Sequence, residues 1–116
     1  MAIVSSHTLN SVDGTHAAGI AVTLRKLGST DASAIVFQTA TDDGGRFSET
    51  VEDPDASATY ELIFETGNYF AINAQQSARP QFLSDVVIRL KMPDPDERYH
   101  LPLMLAPNSY SVWWSS

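Results

Sequence analysis

Short segments in which apolar residues occupy every second position recur along the whole chain, with turn residues between them. This alternation is typical of strands that bury one face of a sheet, and sustained helical periodicity is almost absent. Eight such strands in 116 residues predict an all-β fold, either a two-layer sandwich or a small barrel. The predicted strands cover residues 3–8, 20–24, 35–37, 46–51, 60–64, 86–90, 99–105 and 110–115.

Two segments between the strands have their own local signals. Residues 68–76 predict one short helix, with Thr66 as its cap and an end before Pro80. Thr41-Asp42-Asp43-Gly44-Gly45 is the strongest hairpin signal and predicts that the third strand turns directly into the fourth. No linker or repeat divides the chain, so residues 1–116 are predicted to form a single domain.

Charge and composition restrict the partners. The net charge is −7, with 14 acidic and 7 basic residues, and no segment gathers Lys or Arg into a stripe. We therefore expect neither nucleic acid nor an anionic membrane as a partner. The apolar runs are too short to span a bilayer, and the first residues lack the pattern of a signal peptide, so a cytoplasmic location is predicted. The chain has no cysteine, which excludes disulfides and thiolate chemistry.

The candidates for chemistry are few. His7 and His100 lie in predicted strands, where a single histidine is more often structural than catalytic. His16 lies beside Gly14 and is interpreted as an exposed loop histidine. Without cysteines or a histidine pair at ligand spacing, no metal site is predicted, and no nucleotide-binding or serine-nucleophile motif is present.

Arg46 directly follows the predicted turn and begins a strand. A guanidinium held there by rigid backbone suits planar recognition of an anion or of a polarised carbonyl. The alternative is an ion pair between Arg46 and Asp42 or Asp43 within its own turn.

Four segments, in order along the chain, resemble the transthyretin-like 5-hydroxyisourate hydrolase family. They are Ser5-Ser6-His7-Thr8-Leu9-Asn10, Thr41-Asp42-Asp43-Gly44-Gly45-Arg46, residues 60–70, and Tyr99-His100-Leu101-Pro102-Leu103. The resemblance implies an eight-stranded transthyretin-like β-sandwich that assembles as a homotetramer, a dimer of dimers with active sites in a channel at the subunit interface.

The same resemblance implies a function. The catalytic residues would be His7, Arg46 and His100, and Ser116 would contact the substrate. The reaction would be hydrolytic opening of the six-membered ring of a small oxidised purine, in urate degradation, without metal or organic cofactor. An imidazole near neutral pKa would activate water, and the arginine would stabilise charge on the attacked carbonyl.

The end of the chain departs from the family pattern. Trp113-Trp114-Ser115-Ser116 stands where the family has Tyr-Arg-Gly-Ser, so Trp113 and Trp114 are further candidates for substrate contact. Replacing Arg by Trp removes a cation and adds apolar surface. Three interpretations follow: a divergent hydroxyisourate hydrolase, a hydrolase or cyclase acting on a more apolar or aromatic substrate, and a non-catalytic binder of small molecules.

Overall fold

The computed structural model describes residues 1–28, 34–72 and 81–115, which form two β-sheets and one short helix. This confirms the all-β prediction. The elements are β1 (Ala2–Asn10), β2 (Thr15–His16), β3 (Ala21–Lys26), β4 (Ile35–Ala40), β5 (Arg46–Val51), β6 (Tyr60–Phe64), α1 (Thr66–Ile72), β7 (Val86–Leu90), β8 (Arg98–His100), β9 (Leu103–Ala106) and β10 (Ser109–Val112).

The first sheet is organised around β1, which changes partners half-way along its length. Its first half pairs antiparallel with β5, up to the pair His7↔Arg46, and parallel with β8, where Ser5 is opposite His100. Its second half pairs parallel with β9 and antiparallel with β2. Strand β10 extends this sheet beyond β9. The central position of β1 therefore brings residues from both ends of the chain together.

The second sheet has the order β4-β3-β6-β7 and is antiparallel throughout. The core lies between the two sheets, because the strands turn their apolar positions towards one another. The Phe47 ring from the first sheet contacts Phe37 and Phe64 from the second, with centroid distances of 6.0 and 6.1 Å. The largest fully buried apolar side chains are Phe64, Ile20, Leu24, Leu62, Met92, Leu103 and Leu105.

The described residues contain ten strands, whereas eight were predicted. One addition is β2, which is only two residues long and whose sequence has no alternation to detect. The other arises because the predicted strand 99–105 divides into β8 and β9 around Leu101 and Pro102. Proline has no N–H to donate to a ladder, so pairing is interrupted there and resumes with the second half of β1.

The predicted hairpin at residues 41–45 is wrong, because the turn joins strands of different sheets. Strand β4 pairs with β3, whereas β5 pairs with β1. The turn itself is tight, with the Gly45 amide donating to the Asp42 carbonyl over 2.9 Å. Its two ends are then drawn apart: Thr41 donates to the Ile20 carbonyl, and the Gly45 carbonyl accepts from Thr8. Residues 41–45 do form the turn that their sequence predicts. Their sequence carries no information about which sheet the next strand joins.

Helix α1 begins at Thr66, two residues earlier than predicted, and the predicted residues 73–76 lie outside the described part of the chain. Thr66 is the first helical residue, and its hydroxyl donates to the Ser84 carbonyl over 3.4 Å, so it is not the predicted cap. Among the described residues, no helix has the length and apolar character needed to cross a membrane.

Candidate active site

Three predicted site residues lie on one face of the first sheet, the face directed away from the core. His7 and Arg46 are direct partners across β1 and β5, and His100 is the direct partner of Ser5 across β1 and β8. Direct partners project to the same side, and Ser5 and His7 are two residues apart on one strand. We call this side the outer face. It brings His7, Arg46 and His100 together.

His100 is held by a buried serine. Its Nδ1 lies 2.8 Å from Oγ of Ser5, a side chain only 2 % exposed. Among the described residues, none forms a hydrogen bond with Nε2 of His100. Burial, followed by the positive charges of Arg98 and Arg46, lowers the pKa of His100 below its usual value. The ring is therefore neutral at pH 7, held at Nδ1 by Ser5 and without a described partner at Nε2.

His7 is engaged more extensively. Its Nε2 lies 3.0 Å from Nδ1 of His16, and the two ring centroids are 5.0 Å apart. Burial, then the charge of Arg46, then His16 and His100 lower the pKa of His7, while a hydrogen bond to the Gly44 backbone raises it. The net shift is downward, so His7 is also neutral at pH 7.

Arg46 projects from the end of the tight turn and forms no ion pair with the residues that the structure describes. The Asp42 carboxylate accepts the backbone amides of Gly44 and Arg46, each over 2.9 Å, and thereby closes the turn. Within the described ranges, the ion pairs of arginine involve Arg25 and Arg89. The alternative in which the Arg46 guanidinium pairs with its own turn is therefore not what the structure contains.

Gly45 is required for this turn to lie against β1. Its φ is +73°, and a Cβ at this position would collide with the Thr8 carbonyl oxygen and lie 3.2 Å from the Ala17 amide nitrogen. Glycine is favoured at such positive φ because it has no Cβ. The close approach of Gly45 to β1 places its neighbour Arg46 opposite His7.

Two residues of this face were not singled out from the sequence. Arg98 lies two positions before His100 on β8, opposite Ile3, and shares its face. Because residues two apart on a strand project to the same side, the spacing of Arg98 and His100 in the sequence was enough to place them on one face. His16 was interpreted as an exposed loop residue; it is exposed, but it belongs to β2 and contacts His7. Recognising this needed the pairing of β2 with β1, which no periodicity revealed.

The two tryptophans have different environments. The Trp114 ring packs against Tyr99 with a centroid distance of 5.9 Å, on the side opposite His100. Ser111 and Ser115 pair with the outer-face residues Met104 and His100, so alternation assigns Trp113 to the outer face between them. Ser116 lies outside the described residues. The structure thus separates Trp114 from the three outer-face residues His7, Arg46 and His100.

Trp114 lines an apolar cavity of about 360 Å³ together with Leu90, Pro93, Tyr99 and Leu101. None of the histidines borders it. Across the described ranges, no group of three or more His, Asp or Glu side chains is arranged to hold a metal ion.

Comparison with known proteins agrees with this architecture. Residues 4–114 match the HIUase/Transthyretin family. The 5-hydroxyisourate hydrolase of Halalkalibacterium halodurans is 32% identical over 115 residues, which are 97% of each chain. The structure of Klebsiella pneumoniae 5-hydroxyisourate hydrolase superposes with a TM-score of 0.79 at 27% identity, covering 100% of both chains. Transthyretin from Sparus aurata shares the fold, with a TM-score of 0.79 at 20% identity, over 97% of this chain and 95% of its own. The chain belongs to the HIUase/Transthyretin family.

Proposed function

We propose that the protein is a hydrolase of the 5-hydroxyisourate hydrolase type, which opens the ring of a small oxidised purine by attack of water. The observation that carries this proposal is the grouping of His7, Arg46 and His100 on the outer face. Relatives that bear this enzyme name align with nearly the whole chain. A neutral imidazole can take a proton from water, and guanidinium groups without an ion pair among the described residues can stabilise charge on the attacked carbonyl.

His100 is the better placed proton acceptor. When Nδ1–H of His100 donates to Oγ of Ser5, the lone pair of the neutral ring lies on the free Nε2. Nε2 of His7, in contrast, is already engaged by His16. The lowered pKa of His100 keeps its base form available at neutral pH. We therefore assign proton abstraction to His100.

The chemical step balances without a co-reactant. Nε2 of His100 takes a proton from water as the water oxygen bonds to the ring carbonyl carbon. Collapse of the tetrahedral intermediate breaks the carbon–nitrogen bond, and the proton on His100 passes to the leaving nitrogen. The carbonyl carbon becomes a carboxylate, and one proton is released to solvent.

Two arginines supply the charge that this step needs. Negative charge develops first on the attacked oxygen and remains on the carboxylate product. Arg46 lies opposite His7, and Arg98 lies two residues before His100, and neither forms an ion pair with a described residue. A guanidinium without a carboxylate partner is free to bind a developing oxyanion. In a chain of net charge −7, this local excess of positive charge favours an anionic or carbonyl-rich ligand.

The more apolar substrate named among the alternatives is favoured by one observation, the cavity beside Trp114. Most of its lining surface is apolar, although Lys91, Asp94 and Glu97 also border it. It lies on the side of β8 opposite His100. A ligand bound in it would quench the fluorescence of Trp114 without reaching the histidines. Hydrolysis at the outer face and binding in this cavity are therefore separable by experiment.

We also propose that the chain forms a homotetramer. Strand β10 lies at the edge of its sheet and carries no charged side chain. Uncharged edge strands present unpaired backbone groups that suit pairing with another copy. Sedimentation should give four times the 12.7 kDa of one chain, and a monomer would contradict the proposal. A cytoplasmic location stays a prediction.

The decisive assay follows the ultraviolet decay of freshly generated 5-hydroxyisourate with and without the protein. We expect clear acceleration, which His100→Ala and Arg46→Met reduce by about a hundredfold or more. Arg89→Met is the matched control, since Arg89 is exposed on the second sheet and paired with Glu61. Decay at the spontaneous rate with the unaltered protein would refute the proposed function. Full activity in the His100 and Arg46 variants would refute the site.

A further inference from the structure

The contact between His7 and His16 joins two strands beside the site. Nε2 of His7 and Nδ1 of His16 are 3.0 Å apart, which is hydrogen-bond distance. The rings are inclined by 32°, with centroids 5.0 Å apart, so they meet nearly edge to edge through these nitrogens. Two ring nitrogens in such contact must share one proton, because two bare lone pairs or two N–H groups would repel.

The position of His16 is fixed by its short strand. Leu9 is opposite His16 in the pair of β1 and β2. On one side, the Asp13 carboxylate accepts from the Thr15 amide and hydroxyl, over 2.9 and 2.6 Å. On the other side, the Ala17 amide donates to the Thr8 carbonyl over 3.0 Å. The His16 imidazole is thus carried by backbone that is held at both ends.

The other neighbour of His7 favours one direction for the shared proton. The Gly44 backbone raises the pKa of His7, as an acceptor beside the ring does. Such an acceptor favours a hydrogen on Nδ1 of His7, which leaves the lone pair on Nε2 and makes Nδ1–H of His16 the donor. In either direction, Nε2 of His7 is engaged by His16.

We propose that His16 is a positioning residue of the site, which holds His7 in one orientation and one tautomer and so leaves His100 as the proton acceptor. His7 then lies as a neutral ring in a fixed orientation beside Arg46, its partner across β1 and β5. His16 acts only through His7. The inference rests on the proposed function, because the step that His100 performs is the proposed hydrolysis.

The groups that face His7 define how its titration responds. They are the guanidinium of Arg46 on β5, the imidazoles of His16 on β2 and His100 on β8, and the backbone of Gly44. The Asp42 carboxylate in the same turn is occupied by two backbone amides. The influences on His100 are burial, Arg98 and Arg46, with no contribution from His16. Removing His16 should therefore alter the pKa of His7 and leave that of His100 in place.

The test compares His16→Ala with His16→Asn, whose side-chain amide nitrogen can donate from nearly the position of Nδ1. Loss of one hydrogen bond of about 1 kcal/mol corresponds to about fivefold in rate. We expect kcat of His16→Ala to fall about fivefold with KM within twofold, and His16→Asn to recover most of it. Thr15→Ala is the control for hairpin stability, because it removes the bond to Asp13 and leaves the imidazole.

Two further readouts separate this role from a structural one. Nitrogen-15 NMR of the imidazoles should show Nδ1–H on His7, with its pKa rising in His16→Ala and that of His100 unchanged. The acid limb of the pH profile of kcat/KM should stay in place in His16→Ala. An acid limb that moves with His7 would overturn the assignment of the base. Unchanged kcat in His16→Ala, or an equal loss in Thr15→Ala, would overturn the role of His16. The NMR result does not depend on turnover, so it stands or falls separately from the proposed hydrolysis.

Discussion

Oγ of Ser5 lies 2.8 Å from Nδ1 of His100, between two residues that are direct partners in a parallel pair of strands. The serine is buried, so water does not compete with the His100 ring for a hydrogen bond to its hydroxyl. The contact fixes which nitrogen of His100 is directed outward. When Nδ1 carries the ring hydrogen, the outward nitrogen Nε2 has the lone pair that proton abstraction needs.

Ser5→Ala removes this contact and leaves Nδ1 of His100 without its buried partner. We expect kcat to fall about five- to tenfold, because one hydrogen bond of about 1 kcal/mol is lost and the orientation of the ring is released. Steady-state kinetics on hydroxyisourate measure it. Ser48→Ala is the matched control, since Ser48 is opposite Ser5 in β5 and exposed. Equal losses in the two variants would contradict the role of Ser5.

The pH dependence follows from the lowered pKa of His100, which is shared by His7. Proton abstraction needs the neutral ring, so the acid limb of kcat/KM should lie below the usual histidine value of 6.5. The free energy of unfolding should also fall at low pH. Below pH 6.5 the histidines of the unfolded chain bind protons while those of the folded chain stay neutral, so stability falls as the pH drops through the folded pKa values. Kinetics and urea unfolding across this range measure both; an acid limb above 6.5 would contradict the prediction.

Arg46 has two separable effects, one of charge and one of geometry. Its charge lowers the pKa of both His7 and His100, so Arg46→Met should move the acid limb to higher pH. Arg46→Lys keeps the charge but loses the planar fork, so the limb should stay while kcat falls. Arg89→Met should change neither. A limb that moves equally in the Lys and Met variants would show that charge is not the cause.

Gly45→Ala should destabilise the protein more than Gly14→Ala. Both glycines have positive φ, +73° and +78°, which costs an alanine about 1–2 kcal/mol. Only at Gly45 does an added Cβ also collide with the Thr8 backbone, because nothing lies within 4 Å of a Cβ at Gly14. Urea denaturation measures the difference between the two variants. Equal midpoints would mean that the turn can move away from β1.

The two tryptophans should differ in what their removal changes. Trp114→Ala loses the ring contact with Tyr99, so we expect about 1 kcal/mol lower stability and little change in KM. Trp113→Ala, on the outer face beside Ser115, should raise KM with little change in stability. Thermal unfolding and kinetics measure the pair. A raised KM in Trp114→Ala together with lower stability in Trp113→Ala would contradict the orientation of the final residues.

Much of the fold followed from alternation. Strands β5 and β7 have the predicted bounds, because each is a simple run with one apolar face between clear turn residues. The turn before Arg46 was recognised, but its strands belong to different sheets, and only their contacts with β3 and β1 decide that. Residue chemistry does not encode a change of sheet.

For a related reason, the contacts within the candidate site could be predicted only in part. His7, Arg46 and His100 were named from the sequence, and pairing through β1 brings them together. Ser5 belongs to one of the segments that resemble the family but has no predicted role, and its bond to His100 depends on a register that joins residues 95 positions apart. His16 needed the pairing of a two-residue strand. Such contacts are fixed by tertiary register, which local sequence does not specify.

The central position of β1 also orders the events of synthesis. His7 and His16 are only nine positions apart, so their contact can form as soon as the first hairpin has left the ribosome. Ser5 must wait until residue 100 has been translated before its partner exists. Throughout that interval the side of β1 that will receive β8 and β9 is an open edge, which a chaperone or another nascent chain can occupy. The hydrogen bond of the proposed base is thus completed only after residue 100 has been translated, much later in synthesis than the contact between the two histidines of the first hairpin can form.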